Sequence, residues 1–466
     1  MTNTNLNNNL TVVILAAGKG KRMMSNLPKP LIEICGKPML AYLVETVIKL
    51  SPKQIIIVYS DCIEPFQKAL EAYDNNNITW VKQQDQLGTG HAALCAIEHV
   101  TAQRTMVLCA DTPLIKASTL QSLITKPANS LGIITTITDN PTGFGRIVRN
   151  KALKLERIVE EKDATSIETK INEVATGIML APTDFLATHL SKIANDNAQQ
   201  EYYLPEIIPM WLNNGEDVII LQTKDYKTTL GANNLVELAL LEKYQQQQII
   251  NKLMLSGVKI INPDTINIQG SVNIEAGVII EAGATFKGKV TIKAGARIGY
   301  HTIIQNSTIG ENATILPSCM IIEATIAKNA TIGPFAHIRP NTNIGENAKI
   351  GSFVEIKATN IGKNSKANHL AYIGNAEVGA NVNIGAGTVT CNYDGVNKFT
   401  TIIEDNAFVG SGTYLIAPIT VGKNSYIGAG SCITKSTPEN KLTFSRSKQV
   451  TASGWSHPRL QEEINL

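Results

Sequence analysis

The clearest chemical signal is a run of glycines and cations near the amino terminus. Residues 15–22 are Leu-Ala-Ala-Gly-Lys-Gly-Lys-Arg, and a Leu-Pro-Lys sequence ends at Lys29. Glycines let backbone N–H groups approach a phosphate closely, and the cations supply charge for a polyphosphate. The GxxxxGK[ST] spacing of a Walker loop is absent. A lone Gly-x-Gly is usually a tight turn, but four cations within this stretch favour a phosphate site.

Asp111 directly follows a predicted strand and is a candidate ligand for a metal ion that would neutralise such phosphates. Phosphoryl-type transfer depends on positioning and charge neutralisation more than on a covalent nucleophile. Mg²⁺ prefers hard oxygen ligands, with few from the protein and the others from substrate phosphates and water. By itself Asp111 would more often cap a turn before Pro113, so its assignment rests on its context.

His369 is a candidate general base in the second half of the chain. Histidine is the side chain best suited to accept a proton near pH 7. A lone histidine in a repeat is more often solvated, but Lys357 and Tyr372 lie nearby in the sequence. Cations such as Arg339 and Lys357 also suit a phosphate group.

The first half of the chain alternates short apolar runs with helical patterns, which predicts an α/β domain with a mostly parallel sheet. The predicted strands are residues 11–17, 54–60, 79–83 and 105–110, and the predicted helices are 38–50 and 89–100. Ligands of such sheets bind at the carboxyl ends of the strands. This places the chemistry in the loops at Gly18, Gly88 and Asp111.

A six-residue repeat occupies residues 270–436, with an aliphatic residue at every sixth position, as at Ile332, Ile338 and Ile344. A glycine commonly follows the aliphatic residue. A small residue stands two places before the next aliphatic residue. A helix repeats at 3.6 residues and an amphipathic strand at 2, so neither fits. The period predicts short strands and corners in a parallel β-helix. An Asp-Gly turn at residues 392–398 predicts a loop extruded from the coil.

Composition and length limit the remaining possibilities. A chain of 466 residues is too long to fold around a single hydrophobic core. The predicted organisation is an N-terminal domain of residues 1–233, a helical arm of residues 234–257 and a C-terminal domain of residues 258–466. The net charge of +3 gives no support for nucleic-acid binding. Residues 1–10 lack an apolar signal-peptide core, and no apolar run is long enough for stable membrane insertion. Seven cysteines without CxxC spacing predict free thiols in a reducing cytoplasm.

The motifs resemble those of the sugar-1-phosphate nucleotidylyltransferases, whose opening signature LxxGxGxRxxxxxPK is met from Leu15 to Lys29. Gln83, the Leu-Gly-Thr-Gly of residues 87–90 and Asp111 continue the resemblance. It is closest to the bifunctional GlmU family, which joins an N-acetylglucosamine-1-phosphate uridylyltransferase to a glucosamine-1-phosphate acetyltransferase. The resemblance covers nearly the whole chain, including the helical arm and the repeat.

The resemblance implies two sets of site residues and one metal site. The nucleotide and uridylyl site would comprise Leu15, Ala16, Ala17, Gly18, Lys19, Arg22, Lys29, Gln83, Gly88, Thr89, Gly145 and Glu160, with Mg²⁺ at Asp111 and Asn233. In the acetyltransferase site His369 would be catalytic. The residues binding sugar phosphate and acetyl-CoA would be Arg339, Lys357, Tyr372, Asn383, Asn392, Tyr393, Ser411, Ala429 and Arg446.

The resemblance also implies the fold and the reactions. We expect an N-terminal Rossmann-like domain and a C-terminal left-handed parallel β-helix, in a cytoplasmic homotrimer with acetyltransferase sites between subunits. The substrates would be glucosamine-1-phosphate, acetyl-CoA and UTP, and the product UDP-N-acetylglucosamine. Two alternatives are a nucleotidylyltransferase whose β-helix serves assembly or regulation, and a non-enzymatic scaffold.

The chain departs from the family pattern at two positions. Ala110 stands where the family usually has glycine, directly before the metal-binding aspartate. Ala175 stands where the family has an asparagine that touches the acetylated sugar, and an alanine side chain forms no hydrogen bond. We expect modestly weaker binding of the sugar phosphate, or compensation by Asn172 or Glu173.

Overall fold

The computed structural model describes residues 9–18, 23, 25, 27–73 and 76–459. The chain divides into two compact units, Met1–Ile249 and Ile250–Leu466. The helix Leu235–Leu255 covers the predicted helical arm and runs across this division. Among the described residues, no helix has the length and apolar content needed to cross a membrane.

A nine-stranded mixed sheet forms the centre of the first unit. From edge to edge, the main path is Ile219–Thr223, Gly132–Ile137, Glu173–Pro182, Arg104–Cys109, Leu10–Leu15, Gln54–Tyr59 and Ile78–Lys82, and Arg146–Arg149 and Leu155–Val159 extend it from Glu173–Pro182. The last four strands of the main path pair in parallel. Glu173–Pro182 pairs antiparallel with both neighbours. The four predicted strands are therefore confirmed, and they form one parallel block.

Helices cover both faces of this sheet, as expected when parallel strands are buried. The helices are Met39–Ile48, Glu64–Leu70, Thr89–Ile97, Ala117–Ile124, Thr183–His189 and Ile207–Leu212. Leu40 and Val44 pack with Val12 on one face, while Ala92 packs with Val13 on the other. Alternate residues of the first strand thus point into two separate cores. The two predicted helices are confirmed, and the unit has a Rossmann-like architecture.

The second unit is a parallel β-helix whose short strands stack into three faces. The first face contains Lys259–Ile260, Ile279–Ile280, Arg297–Ile298, Thr314–Ile315, Thr331–Ile332, Lys349–Ser352, Lys366–His369, Asn383–Ile384, Phe408–Val409, Tyr426–Ile427 and Leu442–Thr443. The second face contains Ile303–Gln305, Met320–Ile322, His337–Ile338, Glu355–Lys357, Tyr372–Gly374, Val389–Cys391, Tyr414–Ile416 and Cys432–Ile433. The third face contains Thr308–Ile309, Ala324–Ile326, Thr342–Ile344, Asn360–Ile361, Ala376–Val378, Thr401–Ile403 and Ile419–Val421. Two longer strands, Asn267–Ile274 and Thr285–Ile292, precede the second and third faces in the same sheet.

The aliphatic residues of the repeat form the interior of the β-helix. Ile332 pairs in register with Ile350 of the next coil, and both are almost fully buried. The same holds for Ile338 and Ile356 on the second face. Stacking like residues coil upon coil removes their apolar surface from water, which provides the main driving force for folding. The predicted β-helix is confirmed.

Asparagines at one corner form a ladder of side-chain hydrogen bonds. The ladder consists of Asn347, Asn364, Asn381, Asn406, Asn424 and Asn440, and each donates from Nδ2 to Oδ1 of the next at 2.9–3.3 Å. All six have a positive φ, between 56° and 60°. Asparagine tolerates this left-handed conformation better than other residues with a Cβ, apart from aspartate. The corner therefore uses asparagine both for its backbone tolerance and for its amide.

The predicted loop at residues 392–398 leaves the coil at a different corner. Asp394 Oδ1 accepts hydrogen bonds from the backbone N–H groups of Val396 at 2.8 Å and Asn397 at 2.6 Å. This is the Asx-type turn expected from an Asp-Gly sequence. The loop is anchored by Asn392, which is buried and donates to Asn375 Oδ1 at 2.6 Å.

The ladder predicts a stability order for substitutions at Asn381. Both Asn381→Gly and Asn381→Ala remove two rungs, but only alanine adds a Cβ at a left-handed φ of 57°. We expect Asn381→Ala to be less stable than Asn381→Gly by about 1 kcal/mol. Calorimetry of the two variants beside the wild type measures the difference. A midpoint for the alanine variant equal to or above that of the glycine variant would contradict this role of the corner.

Candidate active sites

The predicted phosphate loop begins directly at the end of the first strand. Ala16 N donates to Val58 O at 2.8 Å, and Ala17 O accepts from Gln86 Nε2 at 2.7 Å. Gly18 is exposed, and a Cβ there would meet no atom of the described residues within 4 Å. Leu15 through Gly18 therefore run from a fixed strand end into an open space at the carboxyl edge of the sheet. Lys19 and Arg22 lie outside the described residues.

Lys29 brings the two predicted metal ligands together. Its Nζ donates to Asp111 Oδ2 at 2.6 Å and to Asn233 Oδ1 at 2.7 Å. The three residues come from segments about 80 and 200 positions apart in the chain. Two oxygen atoms thus converge on one cation, which is the arrangement that a hard divalent ion needs. The residues present fit Mg²⁺, with the ammonium group as a stand-in.

Local structure anchors the backbone on which both oxygen-bearing side chains stand. Asp111 follows the strand Arg104–Cys109, and Ala110 N donates to Leu15 O at 3.0 Å. Asn233 precedes a capping box, in which Glu237 N donates to Asn234 Oδ1 at 2.9 Å and Glu237 Oε2 accepts from Asn233 N at 2.7 Å. Ala110 in place of the usual glycine fits without disturbing this strand end, because its side chain is buried in the core.

The predicted nucleobase segment is clamped against a second loop. Gln83 is buried, and its Nε2 donates to Gly88 O at 3.2 Å. Gly88 has φ +113°, and a Cβ there would lie 2.6 Å from Tyr202 O, so only glycine fits. Thr89 Oγ1 accepts from Leu204 N at 3.0 Å. These contacts hold Gln83, Gly88 and Thr89 as one rigid group.

A cavity of about 830 Å³ opens beside Asp111 and Asn233. Gly145, Glu160 and Ala175 line its far side. A Cβ on Gly145 would lie 3.3 Å from Glu160 Oε1, so glycine leaves the carboxyl group accessible. Burial, with the negative charge of Asp163, raises the pKa of Glu160. A carboxyl group with a raised pKa in a cavity is a candidate hydrogen-bonding group for a polar substrate.

Cys109 also lines the cavity, but its thiol is not a nucleophile. Burial, with the charge of Asp111, raises the pKa of Cys109 to about 12. The thiolate is the nucleophilic form of cysteine, and it is negligible at neutral pH with such a pKa. Cys109 is therefore not a candidate for a covalent intermediate in this cavity.

Ala175 leaves its edge of the cavity without a side-chain hydrogen-bonding group. Its backbone N donates to Gly145 O at 2.9 Å, which fixes the wall. Glu173 binds Arg149 at 2.8 Å and Thr135 Oγ1 at 3.0 Å, and neither it nor Asn172 lines the cavity. The structure gives no support to the expected compensation by Asn172 or Glu173.

On the β-helix, three cations gather at the edge of the second face. Arg339 and Lys357 occupy equivalent positions in successive coils, since Arg339 N donates to Ile356 O at 2.8 Å. The ammonium group of Lys398 and the guanidinium of Arg339 lower the pKa of Lys357. Lys398 comes from the extruded loop and was not among the predicted residues. The sequence could have pointed to Lys398 only through the presence of a cation in the predicted loop.

Other predicted acetyltransferase residues lie on or next to this face. Tyr372 begins a strand of the second face and pairs in register with Glu355, which accepts from Arg339 Nη1 at 2.6 Å. Asn392 anchors the loop, and Tyr393 is exposed. Arg339, Lys357, Tyr372 and Asn392 therefore belong to one surface of a single chain.

His369 lies near the corner that joins the first and second faces. It ends the strand Lys366–His369, pairs with Ser352, and is exposed. Asn383 lies on the first face one coil further along, in register with Lys366. Only the corner residues separate His369 from Tyr372, so the histidine is at the border of the surface that carries the cations.

Ser411, Ala429 and Arg446 follow the same corner in later coils, and all three are exposed. Next to them Gly387, Gly412 and Gly430 stack at positive φ. A Cβ on Gly387 would lie 3.6 Å from Gly412, so successive glycines leave a smooth track without side chains. A separate groove of about 560 Å³ on the third face contains none of the predicted site residues.

Two family models match the chain. The MobA-like NTP transferase domain matches residues 12–168. The bacterial transferase hexapeptide (six repeats) matches residues 323–358 and 400–435. The β-helix is therefore a hexapeptide-repeat structure, and with this match the predicted left-handed parallel β-helix is confirmed as the fold class.

Curated relatives match over nearly the full length. "Bifunctional protein GlmU" of Dechloromonas aromatica (strain RCB) is 44% identical over 97% of this chain and 99% of its own. The protein of the same name from Herminiimonas arsenicoxydans is 46% identical, covering 96% of this chain and 99% of its own. Among solved structures, the inositol-1-phosphate CTP transferase from T. maritima is 16% identical, with a TM-score of 0.40 over 50% of this chain and 96% of that chain.

Relatives at this identity exclude both alternatives, the non-enzymatic scaffold and the nucleotidylyltransferase with a purely structural β-helix. The two units carry the two transferase domains that such relatives combine. The chain belongs to the bifunctional GlmU family: it is a bifunctional transferase with a nucleotidyltransferase domain for uridylyl transfer and a hexapeptide-repeat domain for acetyl transfer.

Proposed function

We propose that the chain makes UDP-N-acetylglucosamine in two steps. The β-helix transfers an acetyl group from acetyl-CoA to glucosamine-1-phosphate. The α/β unit then transfers a uridylyl group from UTP to N-acetylglucosamine-1-phosphate and releases pyrophosphate. The observation that carries this proposal is the convergence of Lys29, Asp111 and Asn233 beside the cavity that contains Glu160.

In uridylyl transfer a phosphate oxygen of the sugar phosphate attacks the α-phosphorus of UTP, and the bond to the pyrophosphate oxygen breaks. Mg²⁺ held by Asp111 and Asn233 would supply charge neutralisation on the phosphates. Lys29 and the N–H groups that follow the end of the strand, at Ala17 and Gly18, would hold the triphosphate. Gln83 and Gly88 would hold the base, while Gly145 and Glu160 would face the sugar. In a site of this kind, positioning supplies most of the rate.

In acetyl transfer the sugar amine attacks the thioester carbonyl, the C–S bond breaks and coenzyme A leaves as a thiol. His369 would take the proton from the attacking amine. Arg339, Lys357 and Lys398 form a site for the sugar phosphate, because a bound anion relieves the mutual repulsion that lowers the pKa of Lys357. The glycine track beside Ser411 and Ala429 offers space for the linear arm of acetyl-CoA.

We propose a homotrimer and a cytoplasmic location. Hexapeptide-repeat units expose long regular faces, and the extruded loop with Tyr393 reaches away from its own coil. All seven cysteines are free thiols, which suits a reducing compartment. The acetyltransferase sites would lie between subunits and include Tyr393 from a neighbouring chain.

Two substitutions should separate the two activities. His369→Ala should reduce acetyl transfer by about 10²- to 10⁴-fold through loss of the base, with uridylyl transfer near that of the wild type. Asp111→Ala should abolish uridylyl transfer and leave acetyl transfer intact. Assays of each half-reaction with its own substrates measure both rates. Loss of both activities in either variant would contradict the assignment of one reaction to each unit.

Mixed trimers test the shared site. A chain with His369→Ala and a chain with Asn392→Ala and Tyr393→Ala should each be inactive in acetyl transfer. Co-assembled from differently tagged chains, they should recover part of the wild-type rate, because some sites then contain an intact His369 and an intact loop. No recovery in purified mixed trimers would place both groups on one chain.

Glu160→Gln should make the protein more stable at neutral pH and slow uridylyl transfer. The pKa of Glu160 is raised in the folded protein, so its burial costs stability as pH rises from the ordinary glutamate value through the folded value. Glutamine is neutral throughout, so the variant should have the higher thermal midpoint above that window and slower uridylyl transfer. Thermal midpoints measured from pH 4 to 8 check the prediction. If the thermal midpoints of the wild type and the variant changed with pH in parallel, ionisation of Glu160 would not destabilise the folded protein.

A further inference from the structure

The ammonium group of Lys29 occupies the position between the two candidate metal ligands. It lies 2.6 Å from Asp111 Oδ2 and 2.7 Å from Asn233 Oδ1, and its side chain is only 11% exposed. A triphosphate-binding lysine in an open site would be expected to point toward solvent. Here the cation is instead withdrawn onto the metal ligands.

The two residues that receive the cation are anchored through their backbones. Asp111 packs against Gly231, where a Cβ would lie 3.2 Å from the backbone carbonyl oxygen of the aspartate. The backbone N–H of Asn233 donates to Glu237 at 2.7 Å. Lys29 therefore occupies a site of two hard oxygens carried by anchored segments of the chain.

Such a site selects a compact cation, and an ammonium group and a divalent metal ion compete for it. Both use the same lone pairs, and the positive charges repel each other strongly in a partly buried site. A metal ion arriving alone must displace Lys29 and leave its ammonium without a partner. A metal ion arriving with a triphosphate brings oxygens that can accept the ammonium instead.

We propose that the ammonium group of Lys29 competes with a bare metal ion for Asp111 and Asn233, so that metal and nucleoside triphosphate bind together. The inference rests on the proposed uridylyl site. Without nucleotide, the ammonium group of Lys29 binds the two oxygens. When the triphosphate binds, the ammonium group binds the phosphates instead. By linkage, the nucleotide raises the affinity for the metal and the metal raises that for the nucleotide by the same factor.

The test measures Mn²⁺ binding to the full-length protein by the electron paramagnetic resonance signal of the free ion, without nucleotide. Lys29→Met removes the charge and nearly keeps the length, and should bind bare Mn²⁺ about ten- to a hundredfold more tightly than the wild type. Lys29→Arg keeps a cation and should remain weak. Calorimetric titration with preformed Mn²⁺–UTP should show the opposite order, with Lys29→Met weaker than the wild type.

Lys116 provides a matched control in the same unit. Its ammonium pairs with Asp225 at 2.7 Å, but the two side chains are 51% and 40% exposed. Lys116→Met should change neither titration. Asp111→Asn combined with Lys29→Met should lose the gained affinity for bare Mn²⁺, which locates that gain at this site. Far-UV circular dichroism confirms folding of each variant.

Two results would overturn the inference. Unchanged or weaker binding of bare Mn²⁺ by folded Lys29→Met would show that the lysine does not withhold the site, and wild-type binding of Mn²⁺–UTP would then leave the proposed function standing. Equal gains in Lys29→Arg and Lys29→Met would show that charge is not the cause. Failure of the wild type to bind Mn²⁺–UTP would remove the proposed uridylyl site itself.

Discussion

The parallel pairing of the strands Leu10–Leu15 and Arg104–Cys109 is the interaction on which the nucleotide half depends. Both strands are buried, so their ends cannot shift without breaking several ladder hydrogen bonds in an apolar environment. One end leads into the predicted phosphate loop at Gly18, and the other leads to Asp111. A packed ladder thus sets the distance between the predicted phosphate loop and the proposed metal ligand, while the exposed loops remain free to vary.

The β-helix meets a different constraint, because it must turn the chain sharply at every corner. Left-handed φ values at those corners are costly for most residues. The chain meets this cost mainly with asparagine and glycine. Phe335 and Phe353 also adopt a left-handed φ, and their exposed rings stack 5.3 Å apart. Regular corners keep side chains at equal heights in successive coils, which is why Arg339 and Lys357 align.

Periodic features could be predicted from the sequence, and contacts between distant segments could not. The six-residue period predicted the β-helix because one pattern is repeated many times, and alternating apolar runs predicted the four central strands. The pairing of Lys29 with Asp111 and Asn233 was not predicted, because no local sequence pattern determines which distant residues the ammonium group of a long side chain contacts. Lys398 was missed for the same reason. Glu173 was expected to compensate for Ala175, but it pairs with Arg149 and does not line the cavity.

The extruded loop at residues 392–398 shows how such a fold can change its length. A coil has a fixed circumference, because each strand must meet its equivalent in the coil below, as Tyr372 meets Val389. A single extra residue within a strand would turn every later inward side chain outward, and two would break the register with the next coil. Insertions must therefore leave at a corner, as this loop does, or add a complete coil. During evolution the domain can lengthen only in whole turns, while new recognition surfaces arise as corner loops on an unchanged interior.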